Sequence, residues 1–255
     1  MPDANVPGYD LLAQAGTGLM SITGETDGSP MKVGVALSDV LTAHHAHGAI
    51  LAALFARQTS GRGARVEVSL FGATTASLVN VAQAALATGN EARRHGNDHA
   101  SIVPYGLFKA RDREFAVGAG TDRHFRALCE RVIGMPALAD DERFATNRGR
   151  VENRVPLLAL LADAFSTEPA HVWVTRCRDA GVPVALVSGV LESLRSGNAA
   201  PLLAQVGHAD AGAYETVVNP ARFDGARLPL RTPPPRLGEH DAAIRAELND
   251  PRKKE

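Results

Sequence analysis

The stretch from Val40 to about Gln58, "VLTAHHAHGAILAALFARQ", constrains this chain more than any other. Leu41, Ile50, Leu51, Leu54 and Phe55 supply bulk at helical spacing, and Ala43, Ala46, Gly48, Ala49, Ala52 and Ala53 leave room for close neighbours. A helix of this composition draws its stability from elements packed against it rather than from propensity alone. "TSGRG" follows, and Gly61 is well placed to terminate the helix. With 255 residues, 45% of them hydrophobic, the chain can bury such a helix in one large domain or in two smaller ones.

The surrounding sequence has a readable order. Residues 9–30 begin helical and run into a Gly, Thr, Asp and Pro-rich loop, and "KVGVALS" is a strand or an extended approach to the long helix. "RVEVSLFGATTASLVNVAQAALATGN" predicts a brief strand and a second long apolar helix ending near Gly89 and Asn90. Residues 91–104, "EARRHGNDHASIVP", are polar and aperiodic, a loop crossing between two blocks. "YGLFKARDREFAVGAG" predicts a β-hairpin turning at "RDRE". Helices are expected near Asp122–Ile133, Val155–Ser166 and His171–Asp179, then an extended "GVPVALVS" and an interrupted helix over "ESLRSGNAAPLLAQV". Short strands, a proline run and a last helix from about Ala242 to Leu248 complete the chain. No internal repeat is visible.

Bulk properties exclude several function classes. A formal net charge of −1 gives no basic excess for nucleic acid or an anionic membrane. The N-terminus lacks the basic and apolar regions of a signal peptide, and the apolar stretch at 48–56 is too short to span a bilayer. Cys129 and Cys177 fit no metal-ligand spacing and read as free buried thiols in a reducing compartment, so a cytosolic protein is expected.

The candidate chemistry centres on Asp39. It stands directly before the helical run, where an aspartate commonly serves as N-cap. The same place suits a nucleophile, because free amides and the helix dipole hold an anion and can receive charge developing on a substrate oxygen. Spacing alone leaves both open. His44 and His47 share a helix face while His45 points elsewhere, and no third ligand is indicated, so a packed helix accounts for them better than a metal centre does.

The run "PGYDLLAQAGTGLMSITGETDGSPMKVGVALSDVLTAHHAHGAILAALFARQTSGRGARVEVSLF" closely resembles the class III CoA-transferases. That family includes formyl-CoA:oxalate, carnitine and glutarate CoA-transferases and is related to α-methylacyl-CoA racemase. Further matches lie in "RHGNDHASIVPYGLFKARD", "LADDERFATNRGRVENR", "GVPVALV" and "PPPRLGEHD", and residues 91–120 are most like glutarate CoA-transferases. The resemblance implies an α/β fold: part of a doubly wound large domain plus a small α+β domain. It divides the chain into 1–90, the helical part of the large domain with the catalytic aspartate; 91–104, the crossing loop; 105–220, the small domain; and 221–255, a return to the large domain.

Carried over by position, Asp39 matches the family's nucleophile, which attacks a donor acyl-CoA and passes through aspartyl anhydride and aspartyl-CoA intermediates. Tyr9, Gln14, Gly96, Asn97 and His99 match the substrate pocket, Leu70 matches a CoA-binding position, and Ser101 stands beside His99 in the loop. Racemase-type relatives carry a histidine where this chain has Tyr9; a phenol releases its proton too reluctantly near neutrality for two-base racemisation, so racemase is a lesser alternative. The implied ligands are acyl-CoA and a carboxylic acid, such as a dicarboxylate, with no metal, nucleic acid or membrane. The nucleotide-binding segment that the family carries ahead of "PGYD" is absent from this sequence. The expectation is therefore a homodimer or a partner chain supplying that part, and the rival reading is a non-catalytic truncated member.

Overall fold

Alternation in "YGLFK" and "EFAVG" places Phe108, Phe115 and Val117 on one face of a sheet, and this face builds the core. The computed structural model describes residues 8–208 and 210–249; residues 1–7, which head the expected 1–90 block, and 250–255, which end the last, lie outside the described residues. Strands β1 (Tyr105–Lys109) and β2 (Glu114–Gly118) form the expected hairpin, with Phe108 opposite Phe115 and Lys109 opposite Glu114. β3 (Val184–Leu186), within the predicted extended piece, pairs antiparallel with β2.

The chain divides into two compact units, one running to Leu186 and the other from Val187. The first begins with four helices: α1 (Asp10–Gly16), α2 (Leu37–Ser60), α3 (Leu70–Ala76) and α4 (Val79–Thr88). α2 starts three residues earlier than its apolar pattern and ends at Gly61, whose φ of 66° closes the helix through its N–H to the Arg57 carbonyl. In "KVGVALS", residues 32–36 approach α2 through a bend without joining a sheet and Leu37 and Ser38 already belong to the helix, while residues 61–69 form no strand.

The second long helix is in fact two, α3 and α4, bent by 77°. The hydroxyls of Thr74 and Ser77 donate to the carbonyls of Leu70 and Ala73, and Val79 restarts the helix at a φ of 38°. Such hydroxyls compete with the regular ladder at the break.

Around the sheet stand α5 (Asp122–Ala127), continued by a π-turn over Leu128–Val132, and α6 (Pro136–Asp140), α7 (Asn147–Glu152), α8 (Arg154–Phe165) and α9 (Ala170–Ala180). α6 and α7 fall between the predicted helices, too short to show a period. α8 presents Leu157, Leu161 and Phe165, and α9 presents Ala170, Trp173, Val174 and Cys177, each along one helical stripe. Phe165 lies edge-on to Phe108, Phe115 and Trp173 at centroid separations of 4.9, 5.0 and 5.3 Å, and the Trp173 indole N–H donates to the Phe165 carbonyl at 2.8 Å.

Arg150 is the largest fully buried side chain, with no solvent exposure. Its guanidinium donates to the carbonyls of Val103 (2.6 Å) and Phe144 (3.0 Å) and to Asp122 Oδ1 (2.8 Å), and lies 4.5 Å from the Phe125 ring centroid. Cys129 and Cys177 are both free and buried, as the sequence predicts, and burial pushes each thiol up to about 12.

The second unit carries α10 (Val190–Leu194), a 3₁₀ turn at Ala200–Leu202, the hairpin β4 (Leu203–His208) and β5 (Gly212–Val217), the short pair β6 (Arg222–Phe223) and β7 (Ala226–Arg227), and α11 (Asp241–Asn249). The interrupted helix expected over "ESLRSGNAAPLLAQV" is α-helical only at its start, through Leu194, with the 3₁₀ turn at Ala200–Leu202 after it. Its end is β4, paired with β5 from Leu203 opposite Val217 to His208 opposite Gly212. A strand whose partner lies further along the chain leaves no helix-to-strand signal in so short an apolar run.

Candidate active site

The site begins with α1 and the start of α2. Tyr9 is the N-cap residue of α1, 72% exposed, with no capping hydrogen bond from its side chain. Gln14, one turn into the same helix, is fully buried. Its amide nitrogen donates to Asp10 Oδ2 at 2.8 Å, and its carbonyl oxygen accepts the Val33 N–H at 2.9 Å. Gln14 thus acts as a brace between α1 and the extended approach to α2.

Asp10 was not singled out by the sequence, and it does the work expected of Asp39. Its Oδ1 accepts the Ser38 N–H at 2.8 Å, satisfying an orphan donor in the first turn of α2 from 28 residues away. The N-cap position itself is Ala36, which makes no side-chain cap. Asp39 is the third helical residue, so the expectation that it caps the helix is corrected: the helix starts at Leu37 and its amide is capped from α1. The Asp39 side chain is exposed, and among the described residues neither its carboxylate nor its backbone N–H makes a hydrogen bond. The only local signal for Asp10 is an acid in the first turn of a short helix. Ser38 is buried with a hydroxyl that lacks a hydrogen-bond partner.

Leu70 opens α3 and is half-buried, and a Cβ on Gly8 would meet its Cδ1 at 3.7 Å. Tyr9, Asp10, Gln14, Asp39 and Leu70 therefore belong to the mutually packed α1, α2 and α3. His44, His45 and His47 lie within α2, and among the described residues no three His, Cys, Asp or Glu side chains are grouped to hold a metal ion.

The loop "HGNDHAS" is held from both sides. At its upstream end the Arg94 guanidinium donates to the carbonyls of Ser21 (3.0 Å), Glu25 (3.2 Å) and Gly28 (2.7 Å), in the segment between α1 and α2. Gly96 lies beside Glu25 and Thr26. Asn97 is exposed and lines an open concavity of about 430 Å³ on the outer face of the three-stranded sheet, with Tyr105, Leu107, Ala116 and Pro183. His99 is half-buried, with its ring edge-on to Tyr105 at 5.4 Å and its backbone N–H donating to the Tyr105 carbonyl. His99 Nδ1 accepts the Ser101 N–H at 3.1 Å, which in the neutral ring leaves the proton on Nε2, as a donor.

The profile of CoA-transferase family III matches residues 1–241. The chain is 38% identical over 249 residues to an acyl-CoA transferase of Fusarium pseudograminearum, covering 94% of this chain and 54% of that protein. It is 33% identical over 249 residues to the succinyl-CoA:glutarate CoA-transferase of Mus musculus, covering 97% and 57%. It is 37% identical over 255 residues to the acetyl-CoA:oxalate CoA-transferase of Acetobacter aceti, covering 99% and 64%. Among solved structures, a CAIB/BAIF family protein from Brucella suis superposes with a TM-score of 0.82 at 34% identity, over 98% of this chain and 65% of that one. The chain thus spans a little over half to two thirds of the length of these proteins.

Proposed function

The chain belongs to CoA-transferase family III and has its α/β fold, and from that premise we propose that it moves CoA from a donor acyl-CoA to a carboxylic acid with Asp39 as nucleophile. The observation that carries this reading is the division of tasks at the start of α2. Asp10 caps the helix, and Asp39, one residue on from the capped amide, keeps an exposed carboxylate without a partner among the described residues.

In the proposed cycle an Asp39 carboxylate oxygen attacks the thioester carbon of the donor. The carbon–sulfur bond breaks, CoA leaves as thiolate, and a mixed anhydride forms. The thiolate then attacks Asp39 Cγ, releasing the donor acid as carboxylate and leaving an aspartyl-CoA thioester. The acceptor carboxylate attacks the same carbon and displaces the thiolate, which takes the acceptor's acyl carbon and frees Asp39. Each step exchanges one activated acyl bond for another, so it balances without a further reactant. The Asp39 N–H at the helix N-terminus, unpaired among the described residues, is a donor for oxyanion charge in these steps.

This reading takes succinyl-CoA as donor and a dicarboxylate as acceptor, supported by the similarity to the succinyl-CoA:glutarate enzyme. Tyr9 belongs to the acyl pocket in this reading, with the buried Gln14 bracing that pocket from behind, Leu70 to the CoA side, and Asn97 and His99 to the acceptor. The His99 Nε2–H suits a carboxylate oxygen, and the reaction is cytosolic.

The test is the intact mass after incubation with succinyl-CoA, beside Asp39→Ala. A CoA-sized adduct on the wild type alone supports the assignment; an adduct on both, or on neither, overturns it for this chain acting by itself. A second reading has its own observation. Of the 24 residues in α2 only Ser38 is buried, while Ile50, Leu51, Leu54 and Phe55 are exposed. A helix this apolar needs cover, so activity here would require further polypeptide, a second copy or a partner chain. Adduct formation that appears only in the assembled species supports this reading.

A further inference from the structure

The acceptor loop has a fastening that no residue match assigns. Arg154, the first residue of α8, is 22% exposed, and its Nη2 donates to the carbonyls of His99 (2.7 Å) and Ala100 (3.0 Å). Its Nη1 stands 4.0 Å from Asp98 Oδ2. At the start of α7, Asn147 donates to the Ser101 carbonyl at 2.8 Å and accepts the Val103 N–H at 3.2 Å. The opposite side of the loop rests on β1: a Cβ on Gly106 would collide with Asp98 Oδ1. Asp98 therefore sits between a guanidinium and the Gly106 backbone, and a Cβ at Gly106 would push its carboxylate away from that place.

We propose that Arg154 is a positioning residue for the acceptor, acting through the loop and not by touching substrate. A planar guanidinium meets two consecutive carbonyls and a nearby carboxylate with little loss of side-chain freedom per bond, which a lysine ammonium cannot match. By holding the His99 and Ala100 carbonyls it fixes the His99 backbone, and the Ser101 N–H to Nδ1 then fixes the ring and the tautomer. Loss of the fastening lets His99 sample other orientations, so the acceptor binds less tightly, while attack of Asp39 on the donor is untouched. This inference rests on the reading of His99 as an acceptor-binding residue.

The experiment compares wild type with Arg154→Ala, Arg154→Lys and Gly106→Ala. Hydrogen exchange is followed at the Asp98–Ser101 amides, and the KM values for a dicarboxylate acceptor and for succinyl-CoA are measured separately. Expected are at least tenfold faster exchange at these amides and an acceptor KM raised tenfold or more in Arg154→Ala. The donor KM and the rate of adduct formation stay within twofold of wild type. Arg154→Lys recovers part of the effect, and Gly106→Ala reproduces it from the other side of the loop. Unchanged exchange in both alanine variants overturns the fastening. Faster exchange with donor and acceptor KM moving together, or neither moving, overturns the link to the acceptor. If the wild type forms no adduct, the transferase reading fails by itself, and with it the acceptor role, while the exchange data still decide whether Arg154 holds the loop.

Discussion

Replacing Arg150 by methionine tests the most concentrated polar network in the first unit. The change removes three charge-assisted hydrogen bonds and leaves two backbone carbonyls, those of Val103 and Phe144, without this donor. Each unsatisfied buried acceptor costs about 1–3 kcal/mol. The Asp122 side chain is 59% exposed and recovers water, so its share of the ion pair is small. Methionine fills most of the vacated volume over Phe125 and avoids burying a charge, which offsets part of the loss. The net expectation is about 3–5 kcal/mol of destabilisation.

The chain has a single tryptophan, Trp173, buried in the same core, so urea unfolding followed by its fluorescence reads this region directly. At a slope of about 2 kcal/mol per molar urea the midpoint falls by roughly 2 M. Arg150→Lys should fall between, since an ammonium cannot reach three acceptors set in a fork, and Asp122→Asn should shift the midpoint little. A methionine variant with an unchanged or raised midpoint would refute the reasoning and show that desolvation of the guanidinium cancels all it binds.

Asp10→Ala should destabilise the protein by about 1 kcal/mol through the lost cap at Ser38, and fewer α2 amides near its start should be protected from exchange; equal protection in both proteins would count against the cap. Cys129 and Cys177, both held at about 12 by burial, should resist alkylation in the folded protein at pH 8 and react once denaturant is added. Because these folded values are raised, their contribution to stability is complete below the unfolded thiol range and is lost as pH rises from about 9 to about 12, visible as a falling midpoint that Cys→Ala variants lack. The Ala170 N–H holds the Asp112 carboxyl below its usual range. The stability this provides is present above the ordinary carboxylate value and disappears as pH falls through the lowered one, and Asp112→Asn should flatten that acid limb; an identical limb would remove Asp112 as its source.

The elements legible in the sequence are those whose signal is local and long. α2 with its terminating Gly61, the β1–β2 hairpin, α8 and α9 each carry a full period of apolar positions or a defined turn residue. What escaped depends on partners distant along the chain. The break at Ser77–Leu78 depends on hydroxyls returning to the preceding turn, which composition alone does not distinguish from a continuous apolar helix. β4 is a strand because β5 pairs with it. Arg150 is one of three arginines between residues 148 and 154 and looks like a member of a solvated charged run, yet it alone is wholly buried. At the site, Asp39 was legible as a candidate and misplaced as a cap, because the group that serves the helix comes from another segment.

The separation of Asp10 from Asp39 has a consequence for the history of such chains. A residue that anchors no neighbour can be exchanged at almost no structural cost, here the few tenths to 1 kcal/mol of an acid facing a helix N-terminus. With Asp39 as the proposed nucleophile, its chemistry can therefore be lost, or replaced, in a descendant that folds as well as its parent. On the proposed reading, the fold depends on Asp10 through its bond to the Ser38 N–H, and turnover depends on Asp39. Silent members of such a lineage would be betrayed by this one position while their architecture stayed intact.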